Sequence, residues 1–167
     1  MCRELEIKIS TPEELELLRT EIQPSDKFVL VADIDMDGRI WTPVANFYDM
    51  FNGNGHTIKN LHIIARLEAE SDYYGLFARI VNFGTVKNLM LEDCVIDGGA
   101  FGICGGIAGI VMYFSFINNC KCLGGTVKGL ICGAIAGQVF DGDLTGCNAV
   151  RTELKGYTTG KIAGEFW

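Results

Sequence analysis

The chain has 167 residues, of which 49% are hydrophobic and 21% charged, and it contains 21 glycines but 3 prolines. This length predicts one domain with a sizeable core, and the composition excludes a disordered chain and favours short, tightly wound strands. The formal net charge of −7 disfavours direct binding to nucleic acid or to anionic lipid, since both require an excess of Lys and Arg.

Two stretches bear on where the protein resides. The longest apolar run, at 101–116, is interrupted by glycines and is shorter than the roughly 20 residues of a membrane-spanning helix, which predicts no membrane insertion. The charged start MCRELEIKIS lacks the apolar block of a secretory signal, and seven cysteines leave at least one thiol unpaired. We therefore expect a cytoplasmic protein, or a cell-surface protein if a signal was trimmed.

The first elements are predicted to be a strand and a helix. Apolar residues alternate with polar ones over 5–9, as in a half-buried strand. Thr11 is the predicted N-cap, Pro12 the first helical residue and Glu14 the capping-box partner, and the helix ends at the polar stretch 23–26. This helix is expected to cover the open edge of the structure that follows.

An acidic stretch comes next and resembles part of a calcium loop. Asp33, Asp35 and Asp37, followed by Gly38, match the first half of an EF-hand loop, but its twelfth position is Val44 where a bidentate Glu is required. Aspartates that follow a strand often bond their own backbone instead. A structural turn is the favoured interpretation, calcium is the alternative, and no other cofactor is expected.

One motif recurs along the chain. Its four copies are HTIKNLHI (56–63), GTVKNLML (84–91), SFINNCKC (115–122) and GDLTGCNA (142–149). Their apolar positions 58, 86, 117 and 144 are separated, by subtraction, by 28, 31 and 27 residues. Periods of this size are typical of a solenoid.

Two further series recur with a similar period. The first places Leu76, Ile107, Ile135 and Ile162 at equivalent positions, and the second consists of the strands 95–98, 126–129 and 153–156. Three short strands per repeat predict a three-sided coil whose neighbours stack at roughly 4.8 Å. We assign 1–26 as an N-terminal cap and 27–167 as a β-solenoid of four to five coils.

The runs DIDMDGRIWTPV, FYDMFNGNGHTIKNL, YGLFARI and GTVKNLML resemble the GLUG-type repeat region of bacterial surface proteins. The resemblance extends over about residues 28–164. It implies a right-handed parallel β-helix and an adhesin-like or peptidase-attached protein, without catalytic residues to transfer. Ala78 departs from the pattern where the family has a closing glycine, which returns at Gly109, Gly137 and Gly164.

The predicted fold class is therefore all-β, a right-handed parallel β-helix with an N-terminal α-helical cap. Stacking predicts an amide ladder of Asn60, Asn88 and Asn119 and an interior ladder of Leu61, Leu89, Cys120 and Cys147. Two pairs of cysteines become neighbours, namely Cys104 with Cys132 and Cys120 with Cys147. We expect reduced core thiols, with disulfides as the alternative.

A carbohydrate-active enzyme is one functional alternative for this fold. It would need carboxylates that converge on a groove built by long loops. The acidic pairs at 92–93 and 141–143 lie in separate coils, and neither His56 nor His62 has a neighbouring Cys or Ser motif. We predict no catalytic residue and no enzyme activity.

Aromatic residues at one predicted corner supply the functional signal. We predict a non-catalytic protein-interaction module with the partner-binding residues Phe83, Tyr113, Phe114, Phe140 and Trp167. Packing of these rings into the corner is the structural alternative. A homodimer through the C-terminal rung is a further expected partner. The functional alternative is an intracellular acidic inhibitor that mimics nucleic acid and blocks an enzyme that binds it.

Overall fold

The structure, a computed structural model, describes residues 5–20, 27–66 and 71–167. Within them the chain winds as a parallel β-solenoid of about five turns, which confirms the predicted fold class. The amino-terminal elements are the strand Glu6–Ile9 (β1), the helix Pro12–Leu15 (α1) and a 3-10 helix over Glu16–Arg19. The described part of the chain has no helix with the length and hydropathy that a membrane crossing requires.

The strands are short and follow one another turn by turn. The first turn contains β2 (Lys27–Leu30) and β3 (Ile34–Asp35). The second contains β4 (Met50–Asn52), β5 (Thr57–Lys59), β6 (His62–Ile64), β7 (Tyr73–Tyr74) and β8 (Phe77–Ile80). The third contains β9 (Thr85–Lys87), β10 (Met90–Glu92), β11 (Val95–Asp97), β12 (Ile103–Gly105) and β13 (Ala108–Met112).

The last two turns repeat the same order. The fourth contains β14 (Phe116–Asn118), β15 (Lys121–Leu123), β16 (Thr126–Lys128), β17 (Ile131–Gly133) and β18 (Ala136–Phe140). The fifth contains β19 (Asp143–Thr145), β20 (Asn148–Val150), β21 (Glu153–Lys155), β22 (Thr158–Gly160) and β23 (Ala163–Phe166).

Each of the later turns contributes one strand to each of five parallel sheets. In spatial order these are sheet 1 (β1-β2-β4-β9-β14-β19), sheet 2 (β3-β5-β10-β15-β20), sheet 3 (β6-β11-β16-β21), sheet 4 (β7-β12-β17-β22) and sheet 5 (β8-β13-β18-β23). The expected number of three strands per turn is therefore too low. The sequence does not predict sheet 2. The series that contains Leu76 is predicted as one strand per turn, but it forms two strands, in sheets 4 and 5, with Leu76 at the corner between them.

The amino-terminal cap forms largely as the sequence predicts. Thr11 Oγ1 accepts a hydrogen bond from the Glu14 backbone N–H at 3.1 Å, while Glu14 Oε2 accepts the backbone N–H of Ser10 at 2.7 Å. The α-helix buries Leu15 in the solenoid core, and the 3-10 helix buries Leu18 there. The edge of β2 is covered by β1 and not by the helix. The helix is shorter than predicted, because the α-helix ends at Leu15, the 3-10 helix ends at Arg19 and Thr20 is extended. The predicted end at 23–26 lies outside the described residues.

The structure corrects the predicted alignment of the first repeat. Val86, Ile117 and Leu144 do stack in sheet 1, but their partner in the second turn is Phe51 and not Ile58. Ile58 lies one strand later, in sheet 2, where it pairs with Leu91. The segment from 56 to 63 therefore starts on a different face from its later copies.

The same offset changes the predicted amide ladder. Asn88 Nδ2 donates to Asn52 Oδ1 at 3.1 Å, and Asn119 Nδ2 donates to Asn88 Oδ1 at 3.0 Å. Asn60 instead donates to Asp35 Oδ1 at 2.8 Å, on the following corner. Both Asn60 and Asn88 have positive φ, at 57° and 54°. Because asparagine adopts this conformation readily, similar motifs fit two different corners.

Two glycines show how closely successive elements approach. A Cβ at Gly133 would lie 1.9 Å from the carbonyl oxygen of Ala136, and a Cβ at Gly160 would lie 1.8 Å from that of Ala163. A side chain at either position would collide with backbone. Glycine is thus required where sheet 4 turns into sheet 5.

Six described cysteines are free, and five of them are buried, as expected for core positions. Cys104 pairs with Cys132 in sheet 4. The Cys104 thiol donates a hydrogen bond to the Lys128 carbonyl oxygen at 3.2 Å, and the neighbouring Cys132 thiol together with burial raises the pKa of Cys104. Burial raises the pKa of both Cys94 and Cys120 to about 12.

Leu61 provides a test of the core, because the structure moves it from the predicted ladder with Leu89 to the next corner and leaves it fully buried there. We expect Leu61→Ala to lower the free energy of unfolding by about 2–5 kcal/mol, measured by urea denaturation, because it leaves a core cavity. Ile64→Ala, at a side chain that is 54% exposed, is the control and should change it by less than about 0.5 kcal/mol. Equal effects would contradict the burial of Leu61 in the core.

The buried thiols predict a loss of stability at alkaline pH. Cys94 and Cys120 titrate near 12 in the fold against an ordinary value of 9.0, so the unfolded chain loses these protons first as the pH rises. The free energy of unfolding should therefore fall between about pH 9 and pH 12, by up to about 1.4 kcal/mol per pH unit for each thiol.

Chemical denaturation at a series of pH values measures this decline. The double variant Cys94→Ala/Cys120→Ala is the control, because it keeps the Tyr and Lys groups that also titrate in this range. Its decline should be shallower than that of the parent protein, and identical slopes would contradict the prediction.

Candidate functional site

The strongest candidate surface lies at the corner where the chain passes from sheet 5 to sheet 1. The chain leaves β8, β13 and β18 and enters β9, β14 and β19 through the linkers 81–84, 113–115 and 141–142. The predicted partner-binding residues Phe83, Tyr113 and Phe114 lie in these linkers. Phe140 ends β18, and Trp167 follows β23. The corner is thus repeated along the solenoid axis.

These aromatic side chains face solvent. Their exposed fractions are 70% for Phe83, 50% for Tyr113, 62% for Phe114, 44% for Phe140 and 74% for Trp167. The alternative that the rings pack into the corner is therefore wrong. The core beneath the corner is filled instead by the preceding aliphatic residues of sheet 5, Ile80, Val111 and Val139, which are buried.

The backbone that carries the rings adopts an unusual conformation. Phe83, Tyr113 and Phe114 have φ values of 67°, 55° and 59°, in the left-handed region. This region costs an L-residue about 1–2 kcal/mol, and glycine or asparagine adopts it more readily. The equivalent linker of the fourth turn uses Asp141, at φ 52°. The backbone conformation of the turn therefore does not explain why aromatic residues occupy these three positions.

Two of the rings are held against each other. The centroids of Phe83 and Phe114 are 5.9 Å apart, and their planes differ by 18°, as in a stacked pair. Such pairs contribute about 0.5–1.5 kcal/mol beyond the area that they bury. Stacking between neighbouring turns therefore fixes the orientation of both side chains while leaving an apolar surface exposed.

The register of sheet 5 adds a residue that the sequence did not indicate. Met112 pairs with Phe140, and the bridge of Phe47 with Ile80 places Tyr48 at the same position in the first turn. Tyr48 is 46% exposed. The sequence does place the exposed Tyr48 directly after the buried Phe47. Its position along the corner could not be predicted, because this segment forms only isolated bridges and no strand. We define the aromatic ridge as Tyr48, Phe83, Tyr113, Phe114, Phe140 and Trp167.

A shallow groove of about 530 Å³ lies beside the ridge. It was not predicted from the sequence because its walls come from three turns. Its lining residues are Asn46, Tyr48, Tyr73, Arg79, Val81, Asn82, Met112 and Tyr113. The guanidinium carbon of Arg79 lies 5.2 Å from the centroid of the Tyr73 ring, in a cation–π contact.

Two of the three aspartates of the calcium candidate accept hydrogen bonds from the protein itself. Asp33 Oδ1 accepts the Thr57 backbone N–H at 3.0 Å, a bond that lowers the pKa of Asp33. Asp35 accepts the Asp37 backbone N–H at 2.9 Å, as the turn interpretation predicts. The described residues contain no group of three or more His, Cys, Asp or Glu side chains arranged to hold a metal.

The histidine and carboxylate side chains that the sequence analysis considered for catalysis lie on separate parts of the solenoid. His56 Nδ1 lies 3.1 Å from Asp33 Oδ1, whereas His62 begins β6. Glu92 projects from sheet 2 and Asp143 from sheet 1. Asp143 accepts the hydroxyl of Thr145 at 2.8 Å. These contacts are local and structural.

No protein-family model matches the sequence. The chain is 31% identical to halomucin from Haloquadratum walsbyi over 121 residues, an alignment that covers 61% of this chain and 1% of the length of halomucin. A crystal structure from Bacteroides ovatus, of a protein provisionally assigned as an immunoglobulin A1 protease, superposes with a TM-score of 0.40. That superposition has 18% identity and covers 93% of this chain and 70% of the other. The chain thus spans only about 1% of the length of halomucin.

Proposed function

We propose that the protein is a non-catalytic binding module whose β-solenoid presents the aromatic ridge to a protein partner. The observation that carries this proposal is the placement of exposed aromatic side chains at left-handed backbone positions. Phe83, Tyr113 and Phe114 are unfavourable for the turn and leave much of their apolar surface in water. Strain of this kind is retained where the side chain serves a function.

The geometry of the ridge suits recognition of a protein. Aromatic residues are enriched in interface hot spots, and they offer a large contact area with few rotatable bonds. The stacked pair of Phe83 and Phe114 is further immobilised by its own contact. A partner that buries these rings would therefore lose little conformational entropy on this side of the interface.

Part of this proposal concerns the family. We propose that the chain is a GLUG-type repeat region, as the runs around 47–61 and 74–80 suggest. The parallel solenoid and the equivalence of Leu76, Ile107 and Ile135 are consistent with such a region. We further propose that the module has an adhesin-like role at a cell surface.

The stacked pair of Phe83 and Phe114 can be removed from the ridge without disturbing the turns that carry it. We expect the double variant Phe83→Asn/Phe114→Asn to retain the fold, because asparagine tolerates left-handed backbone. Its free energy of unfolding should change by no more than about 1.5 kcal/mol, the upper value for a stacked aromatic pair. Binding of the partner should fall at least about tenfold, since hot-spot residues contribute roughly 2 kcal/mol or more.

Affinity capture with the wild-type chain, followed by mass spectrometry, identifies the partner, and its titration against each variant measures the loss. Phe101→Asn is the matched control, because Phe101 is 75% exposed at a different corner. It should bind the partner as the wild type does. Unchanged binding by the double variant would contradict the proposal, and unfolding of that variant would assign the rings to the fold.

A further inference from the structure

The groove beside the ridge has the size and lining of a site for a small polar ligand. Its volume of about 530 Å³ falls within the roughly 300–1,000 Å³ of typical ligand sites. The rings of Tyr48, Tyr73 and Tyr113 supply flat apolar surface and hydroxyl groups. The amides of Asn46 and Asn82 add donors and acceptors. Such a lining suits a ligand that combines a flat apolar ring face with several hydroxyl groups.

Arg79 gives the groove a positive charge that is not neutralised by the described residues. Among them, no carboxylate lies within ion-pair distance of its guanidinium group, whereas Lys59 and Lys128 each contact an aspartate. Further along the outward face of sheet 5, the carboxylate of Glu165 accepts a hydrogen bond from Gln138 at 2.8 Å. In a chain of net charge −7, this cation is available for an anionic group brought by a ligand.

The position of Arg79 is fixed by its surroundings. It projects from β8, which pairs with β13 on one side, while bridges join Phe77 to Val44 and Ile80 to Phe47 on the other. Stacking of the guanidinium on Tyr73 limits its rotation further. A preorganised guanidinium forms two parallel hydrogen bonds with a carboxylate at little entropic cost.

We propose that this groove binds a carboxylate-bearing sugar unit of an acidic glycan. Arg79 would pair with the carboxylate, the rings of Tyr48 and Tyr113 would contact the C–H face of the sugar ring, and Asn46 and Asn82 would bond its hydroxyls. An extended acidic peptide fits less well, because β8 has neighbours on both sides and offers no free edge for an added strand. The groove shares Tyr48 and Tyr113 with the aromatic ridge, but the proposal is argued from Arg79 and does not rest on a protein partner of the ridge.

Isothermal titration calorimetry with defined saccharides tests the proposal. The acidic probes are trigalacturonate and sialyllactose, and their neutral counterparts are the methyl ester of trigalacturonate and lactose. A hexapeptide of glutamate tests the peptide alternative. At least one acidic saccharide should bind about tenfold or more tightly than its neutral counterpart and than the peptide, because a charge-assisted pair is lost in the neutral form.

Arg79→Gln should abolish this preference for the acidic saccharide, and Arg79→Lys should retain part of it through the charge alone. Arg66→Gln is the matched control, because Arg66 is exposed and lies outside the groove. Thermal unfolding of each variant confirms that the fold is kept. Equal binding of acidic and neutral saccharides, tighter binding of the peptide, absence of saccharide binding, or an unaltered preference in Arg79→Gln would each overturn the proposal. The ridge is tested separately through Phe83 and Phe114, which do not line the groove.

Discussion

Backbone hydrogen bonding between successive turns is the interaction on which the rest of this structure depends. Every strand from β4 to β18 pairs in parallel with a strand of another turn, and these pairings run through five sheets without a change of direction. Because side chains alternate along a strand, a slip of one residue would send the core residues of a turn into solvent. Close approach at Gly133 and Gly160, where a Cβ would collide with backbone, leaves no room for a different arrangement.

The functional surface follows from this fixed register. Residues at one corner are brought together turn after turn, so that Phe83 and Phe114, 31 residues apart by subtraction, stack at 5.9 Å. The groove is likewise assembled from the first three turns, with Tyr48, Arg79 and Tyr113 in its lining. The scaffold accepts a local strain at the corner because each linker is short and both flanking strands are held by their neighbours.

Several features of the chain could be predicted because their causes are local. The N-cap at Thr11 follows from its hydroxyl and from Pro12, and the burial of the thiols follows from their apolar positions in the repeat. The turn around Asp35 follows from the ability of a short carboxylate to bond its own backbone. The alignment of Ile58 with Val86 failed for an equally local reason, since the same residues are compatible with two corners of one turn. Only the pairing partners, Leu91 and Phe51, distinguish these corners.

The sequence by itself determined the parallel solenoid, because a hydrophobic pattern that recurs every 27 to 31 residues can bury its apolar face only by stacking. It also indicated which corner holds the aromatic residues. Only the tertiary structure decided that these rings are exposed, since a bulky residue in a turn has the same sequence pattern whether its ring points inward or outward. The charged groove was likewise decided only by the tertiary structure, because Arg79 and Tyr113 lie in different turns and become neighbours only when these turns stack in register.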